Sequence, residues 1–139
     1  MEKGFVKIDF TKGRNFKKFD KSLIKFLIRN KRSSIIHIID NIYPLKNLKY
    51  KSYEIKDHIN LSGSNPLKGP QFISLTNIYN TKKGIIVASL REGLHPNKKE
   101  TKVLLKSGVQ AYCYNIAEAA ILATSLGLNI KATGIVRRL

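Results

Sequence analysis

The chain has 139 residues, 42% of them hydrophobic, and a net charge of +17, which is typical of one folded domain with a strongly basic surface. Its single cysteine, Cys113, excludes an internal disulfide framework and a cysteine-based metal cluster. No apolar run is long enough to span a bilayer, and charged residues interrupt the N-terminal apolar residues, so we expect neither a membrane segment nor a secretory signal. We therefore predict one domain over residues 1–139, inside the cell, in the cytoplasm or an organelle matrix.

The positive charge has two explanations that the sequence leaves open. The chain has 26 basic and 9 acidic residues, and such a field attracts polyanions, with RNA or DNA as the first candidate. Lysine, isoleucine and asparagine are all abundant, however, and an AT-rich genome enriches these three residues in proteins of any function.

The first half of the chain is predicted to alternate between strands and one helix. Residues 1–15 alternate apolar and polar residues and end in a turn signal, which favours a short strand. Apolar residues then recur with helical spacing through residues 16–30. Residues 34–39 form a continuous apolar run typical of a buried strand, in which we interpret His37 as a hydrogen-bonded core residue rather than a ligand. Tyr43 and Pro44 are predicted to begin a loop, and residues 53–58 a further strand.

The second half predicts a regular alternation of strands and helices. Strands are expected at 85–90, 109–114 and 129–136, and helices at 98–107 and 116–126. Asn97 is the expected N-cap of the first of these helices, and Gly127 is expected to end the second. This order predicts an α/β fold with a largely parallel sheet.

Basic residues recur every four positions on the predicted helix at 16–30. Like charges at this spacing repel, so an anionic partner would relieve them, although a solvated helix face is the alternative interpretation. Few aromatic residues lie between them in the sequence, so sequence-specific base stacking is not indicated. With two arginines near the end of the chain, the candidate phosphate contacts are Lys17, Lys18, Lys21, Lys25, Arg29, Arg32, Arg137 and Arg138.

A loop rich in Gly, Pro and Asn follows the strand at 53–58. These residue types specify a backbone path, and long ordered loops often bind ligands, although a well-shaped connection is the alternative. Residues 57–70, continued through 71–79, resemble the "DHINLTGxNPLxGP…RFPDMSxAY" segment of the purine nucleoside phosphorylase family, the trimeric inosine–guanosine type. The signature residues are Asp57, His58, Asn60, Gly63, Asn65, Pro66, Gly69 and Pro70. Asp57 and His58 are adjacent in a strand and so face opposite ways, which favours structural roles over a catalytic dyad.

The resemblance extends over roughly residues 16–136. Residues 108–128 follow the family's "GADAVGMS…VPEAIVARHLGL" without a gap. The resemblance implies a three-layer phosphorylase-like α/β fold with a largely parallel or mixed central sheet, shortened at its N-terminal end. It also implies assembly with identical or paralogous subunits.

The resemblance fails at the groups that perform the family's chemistry. In the family, a Gly-Ser-Gly loop binds phosphate, an Ala-Ala-Gly strand end faces the nucleoside, a Glu in "GPxFET" and an Asn hold the purine, and a Met lies under the sugar. Here the phosphate loop has no counterpart. Ile38, Ile39 and Asp40 stand at the Ala-Ala-Gly positions, Pro96 at the Glu position, Tyr114 at the Met position, and Arg138 near the Asn position. Losing one such preorganised group commonly costs on the order of a hundredfold in rate. Glu92 and His95 lie in the same loop and remain as vestigial purine-site residues.

Three hypotheses follow. The first is a degenerate, catalytically inactive phosphorylase-like protein that acts, without a cofactor, as a basic component of an RNA-rich assembly such as a ribonucleoprotein particle. The alternative is a purine nucleoside phosphorylase (a pentosyltransferase with inorganic phosphate as co-substrate) or a purine-binding protein, completed by oligomerisation. The third is a decayed reading frame, against which the intact apolar periodicity argues. The three histidines do not have metal-ligand spacing, so we expect no metal site.

Overall fold

A computed structural model of the protein describes residues 5–11, 21–29, 35–61, 78–79 and 81–138. Within these ranges the chain forms six strands and three helices. In chain order they are β1 (Phe5–Asp9), α1 (Lys21–Arg29), β2 (Ile35–Pro44), β3 (Ser52–Leu61), β4 (Ile85–Leu90), α2 (Lys98–Lys106), β5 (Val109–Cys113), α3 (Ile116–Ser125) and β6 (Ile130–Val136). No helix in the described ranges is long and apolar enough to cross a membrane.

The six strands form a mixed sheet that closes on itself. β1, β2 and β6 run parallel to one another, as do β3, β4 and β5. Antiparallel pairings of β2 with β5 and of β3 with β6 join these two groups into a ring, to which β1 is added at one edge. The predicted α/β class with a mixed sheet is confirmed. Closure of the ring was not predicted, because local periodicity does not identify the partner of a strand.

The length of β2 makes this closure possible. Its first residues, Ile35–Ile39, pair with β1, and its last two, Tyr43 and Pro44, pair with Tyr112 and Ala111 of β5. The prediction of a loop at Tyr43 and Pro44 is therefore wrong. Proline lacks an N–H donor, but at the last position of a strand that loss costs little.

The main core lies between the ring and α3. Alternate residues of β2, among them Ile36, Ile38 and Ile42, are buried in this core, because successive side chains of a strand point to opposite faces of the sheet. In α3 every residue from 116 to 123 is buried, and its alanines allow the strands to approach closely. By contrast, α2 buries only Leu104 and packs on the outer side of β5. Thus α3 is the central helix, and its N-terminus lies inside the fold.

Most predicted element boundaries are confirmed. Asn97 caps α2 in a capping box, in which its side chain accepts from the Glu100 N–H at 2.8 Å and the Glu100 carboxylate accepts from the Asn97 N–H at 2.9 Å. Helix α1 lies within the predicted range 16–30, the remainder of which is outside the described residues. His37 is half-buried, and its Nε2 shares a 2.8 Å hydrogen bond with the Thr133 hydroxyl, as expected of a core histidine.

Candidate functional site

The polar side chains at the N-terminus of α3 form a buried group that we call the Asp40 cluster: Asp40, Ser89, Cys113 and Asn115. Asp40 is 3% exposed and lies on β2. Its carboxylate accepts hydrogen bonds from the Asn115 backbone N–H (3.1 Å), the Asn115 side-chain amide (3.3 Å) and the Asn41 N–H (2.8 Å). Because Asn115 is the N-cap position of α3, this carboxylate lies where the positive end of the helix dipole favours a negative charge.

Ser89, at the end of β4, completes the capping of this helix. Its hydroxyl accepts from the Ala117 N–H at 3.0 Å and lies 3.4 Å from the Cys113 sulfur. The first N–H groups of a helix have no partner within the helix. In α3 two of these groups, the N–H groups of Asn115 and Ala117, are satisfied by side chains of β2 and β4, which are distant in sequence.

Burial controls the chemistry of the Asp40 cluster. Desolvation raises the pKa of Asp40 to about 6, although its hydrogen bonds act in the opposite direction. Desolvation, followed by the nearby Asp40 charge, raises the pKa of the Cys113 thiol to about 12. A thiol with so high a pKa is not ionised at neutral pH and is therefore a poor nucleophile.

Aromatic rings form a second group on the outer face of β5, which we call the tyrosine cluster: Tyr43, Tyr112, Tyr114 and His95. Tyr43 stacks on Tyr112 with ring centroids 5.2 Å apart, and Tyr114 meets Tyr112 edge to face at 6.1 Å. The Tyr114 hydroxyl donates a 2.9 Å hydrogen bond to the Leu94 carbonyl, and burial raises the pKa of Tyr114 to about 12. At the position where the resemblance expects a flexible methionine, the chain therefore has a fixed, neutral ring.

An apolar groove of about 540 Å³ lies between α2, the end of β3 and the loop that follows β4. Leu61, Leu94 and Val103 line it and are 51%, 54% and 63% exposed. Pro96, at the position of the family's purine-binding Glu, also lines this groove and has no side-chain acceptor to offer a base.

Glu92 and His95, which the resemblance indicates as vestigial purine-site residues, are exposed. His95 Nδ1 shares a 3.1 Å hydrogen bond with the Tyr112 hydroxyl. The structure therefore brings His95 to the tyrosine cluster, and it places neither residue in the Asp40 cluster.

The described part of the signature segment shows structural roles. Asp57 accepts from the backbone N–H of His58 at 2.8 Å, while the His58 ring shares a hydrogen bond with the buried hydroxyl of Tyr79. Burial lowers the pKa of His58 and raises that of Tyr79 well above its usual value, so the pair is neutral at pH 7. Asn60 is half-buried on β3. The remaining signature residues, Gly63, Asn65, Pro66, Gly69 and Pro70, lie outside the described residues.

The candidate phosphate contacts are only partly described. Lys25 and Arg29 are exposed on α1, Lys21 begins that helix, and Arg137 is exposed after β6. Arg138 donates a hydrogen bond to the Leu48 carbonyl, which ties its guanidinium to the protein. Lys17, Lys18 and Arg32 lie outside the described residues. Within the described ranges, no three His, Cys, Asp or Glu side chains are grouped so that they could hold a metal ion.

Comparison with known proteins shows the fold. No family model and no curated protein matches the sequence. Among solved structures, Schistosoma purine nucleoside phosphorylase in complex with hypoxanthine aligns with a TM-score of 0.72 and 18% identity over 84% of this chain and 55% of that one. The fold is that of a purine nucleoside phosphorylase.

Two further solved structures show the same fold. The Schistosoma phosphorylase in complex with guanosine aligns with a TM-score of 0.74 and 18% identity over 88% of this chain and 60% of that one. The Schistosoma mansoni enzyme in complex with BCX-34 gives 0.74 and 17% identity over 94% of this chain and 60% of that one. The chain thus spans little more than half the length of the phosphorylases whose fold it shares.

Two groups of contacts were not predicted from the sequence. Asp40 ends the apolar run at 35–39, and a carboxylate that follows such a run was the only local signal of a buried charge. The rings of the tyrosine cluster come from three separate segments, and nothing in the sequence indicated that they meet.

Proposed function

We propose that this protein has the phosphorylase fold without phosphorylase activity and that it binds RNA, through basic side chains, as a component of a ribonucleoprotein assembly inside the cell. The proposal includes no cofactor and no metal. Its partners are RNA and, through the assembly, other subunits that are identical or related in sequence.

The observation that carries the loss of catalysis is the position of the Asp40 carboxylate. The resemblance places Asp40 at the strand end that has Ala-Ala-Gly in the family and faces the nucleoside. A buried carboxylate there takes up space that small residues leave to a substrate, and it repels a phosphate dianion. Its hydrogen bonds also occupy the backbone N–H and the side-chain amide of Asn115, at the start of α3.

The residues at two further positions also argue against catalysis. Pro96 provides no acceptor or acid for a purine that develops charge, and Tyr114 is held by its hydrogen bond to Leu94. These substitutions remove interactions that phosphorolysis requires in its transition state. Since each such group is worth on the order of a hundredfold in rate, their combined loss leaves no measurable catalysis.

The support for RNA binding is electrostatic. The chain has a net charge of +17, and Lys25, Arg29 and Arg137 present exposed basic side chains on two different elements. Binding that depends on phosphate contacts releases counterions, so its affinity falls linearly with salt on a log–log plot.

Two measurements on the purified protein test this function. Incubation with inosine and inorganic phosphate should release no hypoxanthine above a protein-free blank. A labelled RNA should bind with an affinity that falls steeply as salt is raised. Turnover of inosine would contradict the loss of catalysis, and an affinity independent of salt would contradict phosphate-driven RNA binding.

The alternative function is purine nucleoside phosphorolysis, or purine binding, in an oligomer whose neighbouring subunit completes the site. The phosphorylase fold supports this alternative, as do the exposed Glu92 and His95 in the loop after β4. Size-exclusion chromatography with the inosine assay on each fraction separates the two proposals. Activity confined to an oligomeric fraction would establish the alternative.

A further inference from the structure

We propose that Tyr43, Tyr114 and His95 form a stacking surface for the bases of single-stranded RNA. This inference rests on the RNA binding proposed above and adds to it a defined contact that the charge of the chain does not supply. Few aromatic residues lie between the candidate phosphate contacts in the sequence. The fold, however, assembles these three rings from β2, the end of β5 and the loop after β4.

The rings are held in place by a buried partner. Tyr112 is 6% exposed and lies at the centre of the tyrosine cluster. Tyr43 packs on it at an interplanar angle of 26°, whereas Tyr114 and His95 meet it edge to face at 76° and 81°. Rings fixed in this way lose little conformational entropy when a ligand binds. Tyr43 and Tyr114 are half-buried and His95 is exposed, so the cluster is partly open to solvent.

Three polar atoms of the cluster form hydrogen bonds within the protein. The Tyr114 hydroxyl bonds to the Leu94 carbonyl, and the Tyr112 hydroxyl bonds to His95 Nδ1. These atoms hold the rings in place. Stacking on ring faces tolerates any base, so we expect binding with little sequence preference.

Basic side chains are frequent in the segment that contains His95 and α2. The segment from residue 91 to 106 has five basic and two acidic residues, all of them exposed: Arg91, Lys98, Lys99, Lys102 and Lys106 against Glu92 and Glu100. Glu100 and Val103 of α2 line the apolar groove. By helical geometry Lys98 and Lys102, one turn apart, lie on the other side of that helix.

A further basic residue follows β2. Lys46 is exposed and follows Leu45, whose N–H donates to the Gln110 carbonyl at the start of β5. Leu45 packs against the same small core as Tyr43 and Tyr114. Aromatic rings near exposed basic residues in the sequence, in a chain with a net charge of +17, fit a single strand, whose phosphates contact the lysines while its bases stack. The charge of the chain favours this partner over an uncharged peptide.

The test compares two ligands of equal charge. Fluorescence anisotropy at one salt concentration would measure binding of labelled oligouridine and of an abasic ribose–phosphate oligomer of the same length. We expect oligouridine to bind about tenfold more tightly, since stacking of even one base contributes that much. Tyr43→Leu should reduce this ratio about fivefold or more, whereas Tyr43→Phe, which keeps the ring, should preserve it. Tyr50→Leu is the matched control, because Tyr50 is 67% exposed and lies outside the cluster.

The outcomes separate this inference from the proposed function. If both oligomers bind equally and with steep salt dependence, phosphate-driven binding stands and the stacking surface is overturned. If neither binds, both proposals are overturned. A second measurement follows the aromatic NMR signals of the wild-type protein and needs no variant. Addition of oligouridine should shift the ring signals of Tyr43 and Tyr114 and leave those of Tyr50 unchanged, and the reverse pattern would overturn the surface.

Discussion

The Asp40 carboxylate lies 3.1 Å from the backbone nitrogen and 3.3 Å from the side-chain nitrogen of Asn115, a residue 75 positions further along the chain. This contact ties the middle of β2 to the start of the central helix. It also places a buried carboxylate at the start of that helix. Five predictions follow from this and from the other contacts.

Asp40 should make the protein less stable as the pH rises from about 4 to about 6. The carboxylate has a pKa of about 6 in the folded protein and an ordinary value of 3.8, so the folded state holds its proton more tightly than the unfolded state. The stability that this protonation provides is complete below the ordinary pKa and is lost as the pH rises through the folded pKa, a difference of about 3 kcal/mol. Asp40→Asn should flatten this part of the profile. Urea unfolding at several pH values checks it, and parallel profiles of the two proteins would contradict the prediction.

Ser89→Ala should lower the free energy of unfolding by about 1–2 kcal/mol, because it leaves the Ala117 N–H without its acceptor inside the protein. Ser107→Ala is the matched control. Its hydroxyl donates to the Val103 carbonyl in an exposed position where water can replace it, so we expect a change below about 0.5 kcal/mol. Chemical denaturation measures both, and equal effects would show that Ser89 does not cap α3.

Gly84→Ala should destabilise the protein by more than about 2 kcal/mol. The backbone of Gly84 has a φ of 120°, and a Cβ there would lie 2.1 Å from the Glu54 carbonyl oxygen. Gly127→Ala tests the conformational cost by itself, because Gly127 has a φ of 78° and no atom within 4 Å of the added Cβ. We expect that variant to lose about 1 kcal/mol. Thermal unfolding compares the two, and a milder effect at Gly84 would disprove the close approach.

Tyr79→Phe should lower stability by about 1–2 kcal/mol, because it removes the hydroxyl that bonds to His58 Nδ1 inside the protein. Tyr50→Phe should have no effect, since that side chain is 67% exposed. Asp57→Asn should leave the His58–Tyr79 hydrogen bond intact, because Asp57 bonds to the backbone of His58 and not to its ring. Denaturation curves and His58 ring NMR signals check these expectations. A strong response of the His58 ring to Asp57→Asn would restore the dyad interpretation.

Lys25→Ala and Arg29→Ala should each weaken RNA binding equally for all sequences and reduce the slope of log affinity against log salt by about one. Both side chains are exposed on α1 and contribute charge, not base recognition. Lys51→Ala removes the same charge from an exposed position outside the candidate contacts and should leave the slope unchanged. Salt titrations of binding to one labelled RNA measure all three. An identical loss for all three would show that only the net charge matters.

Features decided within a few residues could be predicted from the sequence. Asn97 and Glu100 are three positions apart, so the capping box, and with it the start of α2, was predictable. Pro44 was interpreted as the beginning of a loop because a proline usually interrupts a strand. Only its pairing with Ala111, which lies far away in the sequence, keeps it in β2.

The candidate sites depend on contacts between residues that are far apart in the sequence. Neither the hydrogen bonds of Asp40 with Asn115 nor the stacking of Tyr43 on Tyr112 has a local signature, since each joins residues about seventy positions apart. The resemblance to the phosphorylases aligned these positions with the family and thereby indicated what was absent. It did not indicate what the new side chains do with one another, because that depends on their contacts in the folded protein.

The ring of strands has a consequence for how the protein is made. β6 pairs with both β2 and β3, so the ring cannot close until residues 130–136 have left the ribosome. Until then a nascent chain has two strands with open edges, and such edges readily pair with other chains. Removing residues 130–136 should therefore destabilise the fold strongly, because it breaks the pairings with two strands at once. We also expect chaperones that recognise extended segments to bind the growing chain.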